Sequence, residues 1–273
     1  MPVYLDFVFP FAGQESSEGS RSSGFHEDTR LLSSKVGLCI PALGRSGREI
    51  RLCYSLRSAE KFLGYQEWFI RQAVIYHSFD VESGKSFWVV IKPNQRLQDR
   101  IKTKTGTAKE ARKSGLRSFN TTAEAFSSSL EAHLVVCDWC DEDWGQCLDY
   151  LEKRLQENAN QSPVFGVPRE PTSVEKAGEI TRVLKSNIGV LKELKRHYEW
   201  IIDSNDYPRR LKNDCEDAVA RFETRISNII ADLQRQLARI EDLQGRLTTT
   251  EDRTQFLGGT KNMVYFLPKD LVL

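Results

Sequence analysis

His133, Cys137, Cys140 and Cys147 stand in the pattern H-x3-C-x2-C-x6-C. Four soft ligands this close in sequence could hold a zinc ion. The pattern lacks the second C-x2-C or paired histidine of a structural zinc site. Cys137 and Cys140 also lie inside an apolar stretch of helical character, so buried thiols are the simpler reading. Asp138, Asp141, Glu142 and Asp143 interleave with them and could attract a divalent cation. They have neither the glycine nor the alternation of a calcium loop. A helix opening at Asp141 would place these acids at a favourable dipole end. Between residues 92 and 117, nine cations (Lys92, Arg96, Arg100, Lys102, Lys104, Lys109, Arg112, Lys113, Arg117) face Asp99 and Glu110. Such a run could meet phosphate, RNA or anionic lipid. Without interleaved aromatics it offers no stacking platform, and it reads as a solvated loop.

No GxSxG, HExxH, P-loop or GxGxxG motif occurs. His26, His77, His133 and His197 have no adjacent nucleophile, and His77 sits in a strand-like IYHSF segment as a structural residue. No acid–base or nucleophile constellation assembles, so a catalytic residue is not expected.

The elements that would position these residues follow from composition and period. The chain has 273 residues, 40% hydrophobic and 28% charged, with 39 Lys plus Arg against 38 Asp plus Glu. A net charge of +1 excludes a strongly basic nucleic-acid binder as a description of the whole chain. The mean hydropathy is −0.47 and no run of about 18 apolar residues occurs, so no membrane span is expected within it. Six cysteines are ordinary usage and predict reduced thiols in a cytosolic setting. The N-terminal MPVYLDFVFPFAG lacks a basic start and does not read as a secretory signal.

Residues 1–35 read as a disordered or variable N-terminus, and 36–160 as an α/β domain. Within the latter, a short strand, a Gly-rich turn and the strand IRLCYSL precede a helix at 58–68 capped by Ser58. FIRQAVIYHSFD and KSFWVVIKP then form a hairpin about VESG, with Gly84 free to take positive φ. Thr121 or Thr122 caps the next helix, and a further helix follows from Asp141. Trp88, Trp139, Trp144 and Tyr76 are the expected structural core. Pro163, Pro168 and Pro171 mark a linker at 161–171. Beyond it, Ile180, Leu184, Leu191, Leu194, Tyr198 and Ile201 repeat at helical spacing, with Asn187 in one slot. After a turn ending at Pro208, Val219, Phe222, Ile226, Ile229, Leu233, Ile240, Leu243 and Leu247 form a coiled-coil-like seam, with Gln236 as its polar slot. The expected fold class is α/β: a small mixed sheet flanked by helices, then a long antiparallel helical hairpin over 172–257. Gly258 and Gly259 should end the second helix, leaving an irregular tail at 258–273. Because the second helix outlasts the first, Phe222, Ile226, Ile229, Leu233 and Ile240 are the candidate oligomer or partner interface; the alternative, favoured for the proximal half, is that they pack only against helix 172–202.

Three strings, RQAVIYHSFDVESGKSFWVVIK (71–92), FSSSLEAHLVVCDWCDEDWGQCLDYLE (126–152) and LKSNIGVLKELKRHYEWIIDSNDYP (184–208) followed by CEDAVARFETRISNIIADLQRQLARI (215–240), carry a family likeness. They resemble the N-terminal soluble domain of the fungal CorA-like family, a distant relative of CorA magnesium transporters, over roughly residues 36–250. The resemblance implies a non-enzymatic domain on the cytoplasmic side of a homo-oligomeric transporter, with a stalk helix leading to the membrane. Sensing, regulation or assembly is the implied work. A divalent cation, Mg2+, is implied by the resemblance only, and no other cofactor is expected. The chain departs from the family pattern at its end. No Gly-Met-Asn signature is present, Lys261-Asn262-Met263 is no substitute, and no membrane helix precedes Leu273. The expectation is therefore a truncated or soluble derivative, which touches membrane only through segments missing here. The alternative is a stand-alone module whose hairpin binds a coiled-coil partner. Nucleic acid is not an expected partner.

Overall fold

A computed structural model of the chain describes residues 24–31, 36–61, 67–105, 119–159 and 173–263, with side chains described as far as residue 246. Four strands form one sheet in the order β1 (Phe25–Glu27), β2 (Glu49–Lys61), β3 (Trp68–Asp80), β4 (Ser86–Ile91). Every pairing is antiparallel, so the sheet is not of mixed direction. Five helices follow: α1 (Gln95–Thr105), α2 (Thr122–Asp141), α3 (Trp144–Ala159), α4 (Ser173–Asp203) and α5 (Arg209–Met263). The α/β class and the closing helical hairpin are as the residue pattern predicts.

Alternation on the central strands decides the two faces. Ile50, Leu52, Tyr54 and Leu56 of β2 lie opposite Phe79, His77, Ile75 and Ala73 of β3. These side chains join a core that continues into α2, α3, α4 and α5. The other face carries a smaller cluster of Cys53, Val74 and Tyr76, with Val89 and Ile91 beside it. The β3–β4 turn forms as expected, with Gly84 at φ 71°. Asp80 holds it, accepting from the backbone N–H of Ser83 (2.9 Å) and of Ser46 (2.6 Å). Burial would raise the Asp80 pKa, but hydrogen bonds from Ser83 and Ser46 outweigh it and hold the carboxyl below its usual range.

Several elements differ from the sequence reading, each for a local reason. Residues 58–61 continue β2 instead of opening a helix. Ser58 and Ala59 pair with Arg71 and Ile70, and no acid is placed to close a capping box. Residues 25–27 of the supposedly variable N-terminus are an edge strand, and Leu31 is buried. The short strand expected near residue 40 reduces to a single Ile40–Arg45 bridge around a 3-10 turn at Pro41–Leu43. The cationic run is helical from Gln95. Asn94 caps it by accepting from the Leu97 N–H at 2.9 Å, and Leu97 is fully buried; residues 106–118 lie outside the described part. Thr121 caps α2 in a reciprocal box with Glu124. That helix runs through Asp141, and α3 starts only at Trp144, after Asp143 at φ 65°.

α5 spans 55 residues, about 80 Å at helical rise. Its backbone passes through Gly258 and Gly259 to Met263. A cost of about 1 kcal/mol per glycine does not break a helix of this length. Thr181 of α4 donates to the Gln244 side chain at 3.0 Å, so α5 runs on well past the start of α4. Arg239 ties α5 to α3 through Asp149 and Glu152, both at 2.6 Å. The linker at 161–171 and the tail beyond Met263 lie outside the described residues.

Candidate functional site

The candidate zinc ligands do not converge as a donor set. His133, on the inner face of α2, uses both ring nitrogens within the fold. Nδ1 is 2.8 Å from the Tyr54 hydroxyl, while Nε2 is 2.8 Å from the Tyr198 hydroxyl and 3.1 Å from Nδ1 of His77. Cys137 and Cys140 are fully buried, and burial pushes their thiols up, away from the thiolate a metal needs. Burial likewise pushes Cys147 up to about 12. Among the described residues, no three His, Cys, Asp or Glu side chains are arranged to hold a metal ion.

His133 instead centres a buried polar relay between sheet and hairpin. His77 stacks on Trp88 with ring centroids 4.0 Å apart, and its Nε2 lies 3.1 Å from the Ser86 hydroxyl. Trp88 donates its indole N–H to the same oxygen at 2.8 Å. Ser129 of α2 stands 3.3 Å from Ser86 and donates to the Ala125 carbonyl at 2.9 Å. Alternation on β3 and β4 brings His77, Ser86 and Trp88 to one face, and the i, i+4 spacing on α2 aligns Ser129 with His133. Complete burial lowers both imidazoles, His77 to about 3 and His133 well below its ordinary value. The relay is neutral at physiological pH. It can orient and rigidify the contact between β2, β3, α2 and α4.

This predicts acid sensitivity. Unfolded chain takes up a proton at His77 near pH 6.5, whereas folded chain resists until about 3. The unfolded state binds more protons in that window, so stability is complete above pH 6.5 and falls as pH drops. The loss from His77 alone is ~2 kcal/mol at pH 5, and His133 adds in the same direction. Asp141 opposes it. Burial, then Asp138, raises its carboxyl to about 6, so it relieves strain as it protonates. Urea midpoints of an Asp141→Asn variant at pH 7.5 and pH 5 remove that opposition. A lower midpoint at pH 5 is expected, and an unchanged one contradicts the account.

The acidic cluster and the cationic run meet each other. Since α2 extends through Asp141, Asp138 and Asp141 lie at its C-terminal end, where the dipole disfavours them. Arginines answer this: Arg225 of α5 reaches Asp138 at 2.8 Å, and Arg96 and Arg100 of α1 reach Glu142 at 3.0 and 2.6 Å. Arg96 also pairs with Asp143. Among the described residues, Arg96 and Arg100 of the cationic run and Arg225 thus form an internal clasp between α1, α2 and α5 around the acidic cluster.

The seam residues are placed inside the chain. Phe222, Ile226, Ile229, Leu233 and Ile240 are all buried in its own core, none exposed beyond 1%. Phe222 meets Tyr198 edge-on at 5.1 Å. The polar slot at Asn187 has a separate use: it accepts from the Arg57 N–H at 3.0 Å and donates to the Arg57 carbonyl at 2.7 Å. Asn187 thereby caps the edge of β2 beyond the reach of β1. Trp139 and Trp144 are buried in the core, and Trp88 packs against it half-buried. Tyr76 is buried, but on the opposite face of the sheet. The remaining histidines, His26 and His197, lie together near the β1 edge. His197 meets the Glu27 carboxylate, and its hydrogen bond is the main reason the Glu27 pKa is lowered.

A short antiparallel sheet laid on α2 and on a hairpin with one very long arm defines an α/β domain. The chain belongs to the CorA-like family: the family model, described as CorA-like transporters, matches residues 1–162. That stretch holds all four strands, α1, α2 and α3, while the hairpin α4–α5 lies beyond it. No curated protein matches the sequence. Among the described residues, no helix is long and apolar enough to cross a membrane.

Proposed function

We propose that this chain is the non-enzymatic, extramembrane domain of a CorA-like transporter-family protein, on the cytoplasmic side, serving assembly and regulation. The observation that carries this reading is α5. Its first half is sealed against α2 and α4, whereas its last turns run past the start of α4. A helix built this way transmits the state of the α/β body along its axis. The surface for self-association is then the distal part of α5, because the buried seam from Phe222 to Ile240 is already occupied. A divalent cation such as Mg2+ is the effector that the family suggests.

The test compares the mass in solution of the full chain with that of a chain ending after Arg246, each with and without magnesium chloride. The full chain is expected to self-associate with rising concentration. The shorter chain, which retains the core through Leu243, is expected to stay monomeric with an unchanged thermal transition. Monomers in both cases would overturn the assembly role.

A further inference from the structure

The outer face of the sheet carries a half-enclosed pocket of about 550 Å3, within the size range of small-molecule sites. Its apolar wall includes Leu43, Phe87 and Val89. Leu43 and Phe87 are each 59% exposed, although large apolar side chains are usually withdrawn from water. Tyr76 backs the wall, edge-on to Phe87 at 6.2 Å.

The charged lining is unequal. Arg45, Arg51 and Lys85 face two carboxylates, Glu49 and Asp80. Both acids are already engaged. Glu49, 1% exposed, takes Arg45 at 2.8 Å and Arg51 at 2.5 Å. Asp80 is filled by the Ser46 and Ser83 donors of the turn. Among the described residues, the Lys85 ammonium is the pocket cation without a carboxylate of its own. It donates to the Leu43 carbonyl at 2.9 Å, leaning over Gly44, whose φ of 63° and missing side chain leave it room. Two of its protons remain for a ligand.

We propose that this pocket binds a small amphipathic carboxylate, with its head on Lys85 beside Arg45 and its apolar body on Leu43, Phe87 and Val89. A surplus cation beside an exposed apolar wall fits such a molecule. A bare anion would leave the wall wet, and a cationic amphiphile would meet Lys85 and Arg45.

Calorimetric titration with sodium dodecanoate below its micellar range tests this, with dodecyltrimethylammonium and acetate as comparators. Saturable binding of one dodecanoate per chain is expected, with no detectable site for either comparator. Lys85→Met should weaken dodecanoate by about tenfold, the loss of one charge-assisted hydrogen bond. Phe87→Asp, which places a like charge on the apolar wall, should abolish binding. Trp200→Ala removes an exposed aromatic outside the pocket and should change nothing. Both pocket substitutions fall at exposed positions, and matching melting curves confirm intact folds. Equal binding of dodecyltrimethylammonium, or unchanged binding in Phe87→Asp, would overturn the proposal.

Discussion

Replacing Phe222 with alanine is expected to lower the free energy of unfolding by about 3–5 kcal/mol. The ring is fully buried, edge-on to Tyr198 at 5.1 Å and 6.4 Å from His133. Its removal opens a cavity where sheet, α2 and hairpin meet, and tight packing leaves little to refill it. Domain stabilities are about 5–15 kcal/mol, so the loss takes a large share. Denaturant unfolding with light scattering on the same samples checks it. A core role lowers the midpoint and leaves the folded protein's mass unchanged. An unfolding free energy within about 0.5 kcal/mol of the parent's, with altered mass, would return Phe222 to an intermolecular role.

His133→Leu should be nearly as costly for a different reason. The substitution preserves apolar volume but strips partners from the Tyr54 and Tyr198 hydroxyls and from Nδ1 of His77. Each buried polar group left unpaired costs about 1–3 kcal/mol. A total near 3 kcal/mol or more is expected. Adding Tyr54→Phe and Tyr198→Phe to His133→Leu removes both orphaned hydroxyls, so the triple variant should regain much of the loss. A triple variant less stable than His133→Leu alone would show that the relay is not held by these pairings.

Much of the architecture was legible in one sequence because it rests on period. The β3–β4 hairpin was readable from alternation and Gly84, and the seam of α5 from its 3-4 spacing. The seam's destination was readable only for its proximal half, as helix 172–202. Periodicity says that Phe222 and Ile240 seek a partner, not whether α2 and α4 of the same chain supply it. The relay was also hidden, since Tyr54, His77, His133 and Tyr198 are scattered along the chain and meet only when α2 and α4 pack on the sheet. One local signal stands in the cationic run itself: Asn94, three residues before Leu97, is a helix cap that marks the start of α1. Asn187, an amide in an otherwise apolar seam, marked the contact between α4 and the edge of β2. The clasp of Arg96, Arg100 and Arg225 with the acids of the α2–α3 junction needed the fold. Charge runs read one at a time look like ligand sites, whereas in the fold Arg96 and Arg100 are paired with Glu142.

The most direct test of the extramembrane-domain reading is where the natural product resides. Cells that express it would be lysed, and an antibody against the α/β body would follow it through membrane sedimentation and an alkaline carbonate wash. The account predicts that the antigen stays with the membrane pellet after the wash, as part of a transporter-family protein. Quantitative recovery in the unsedimented fraction would contradict it.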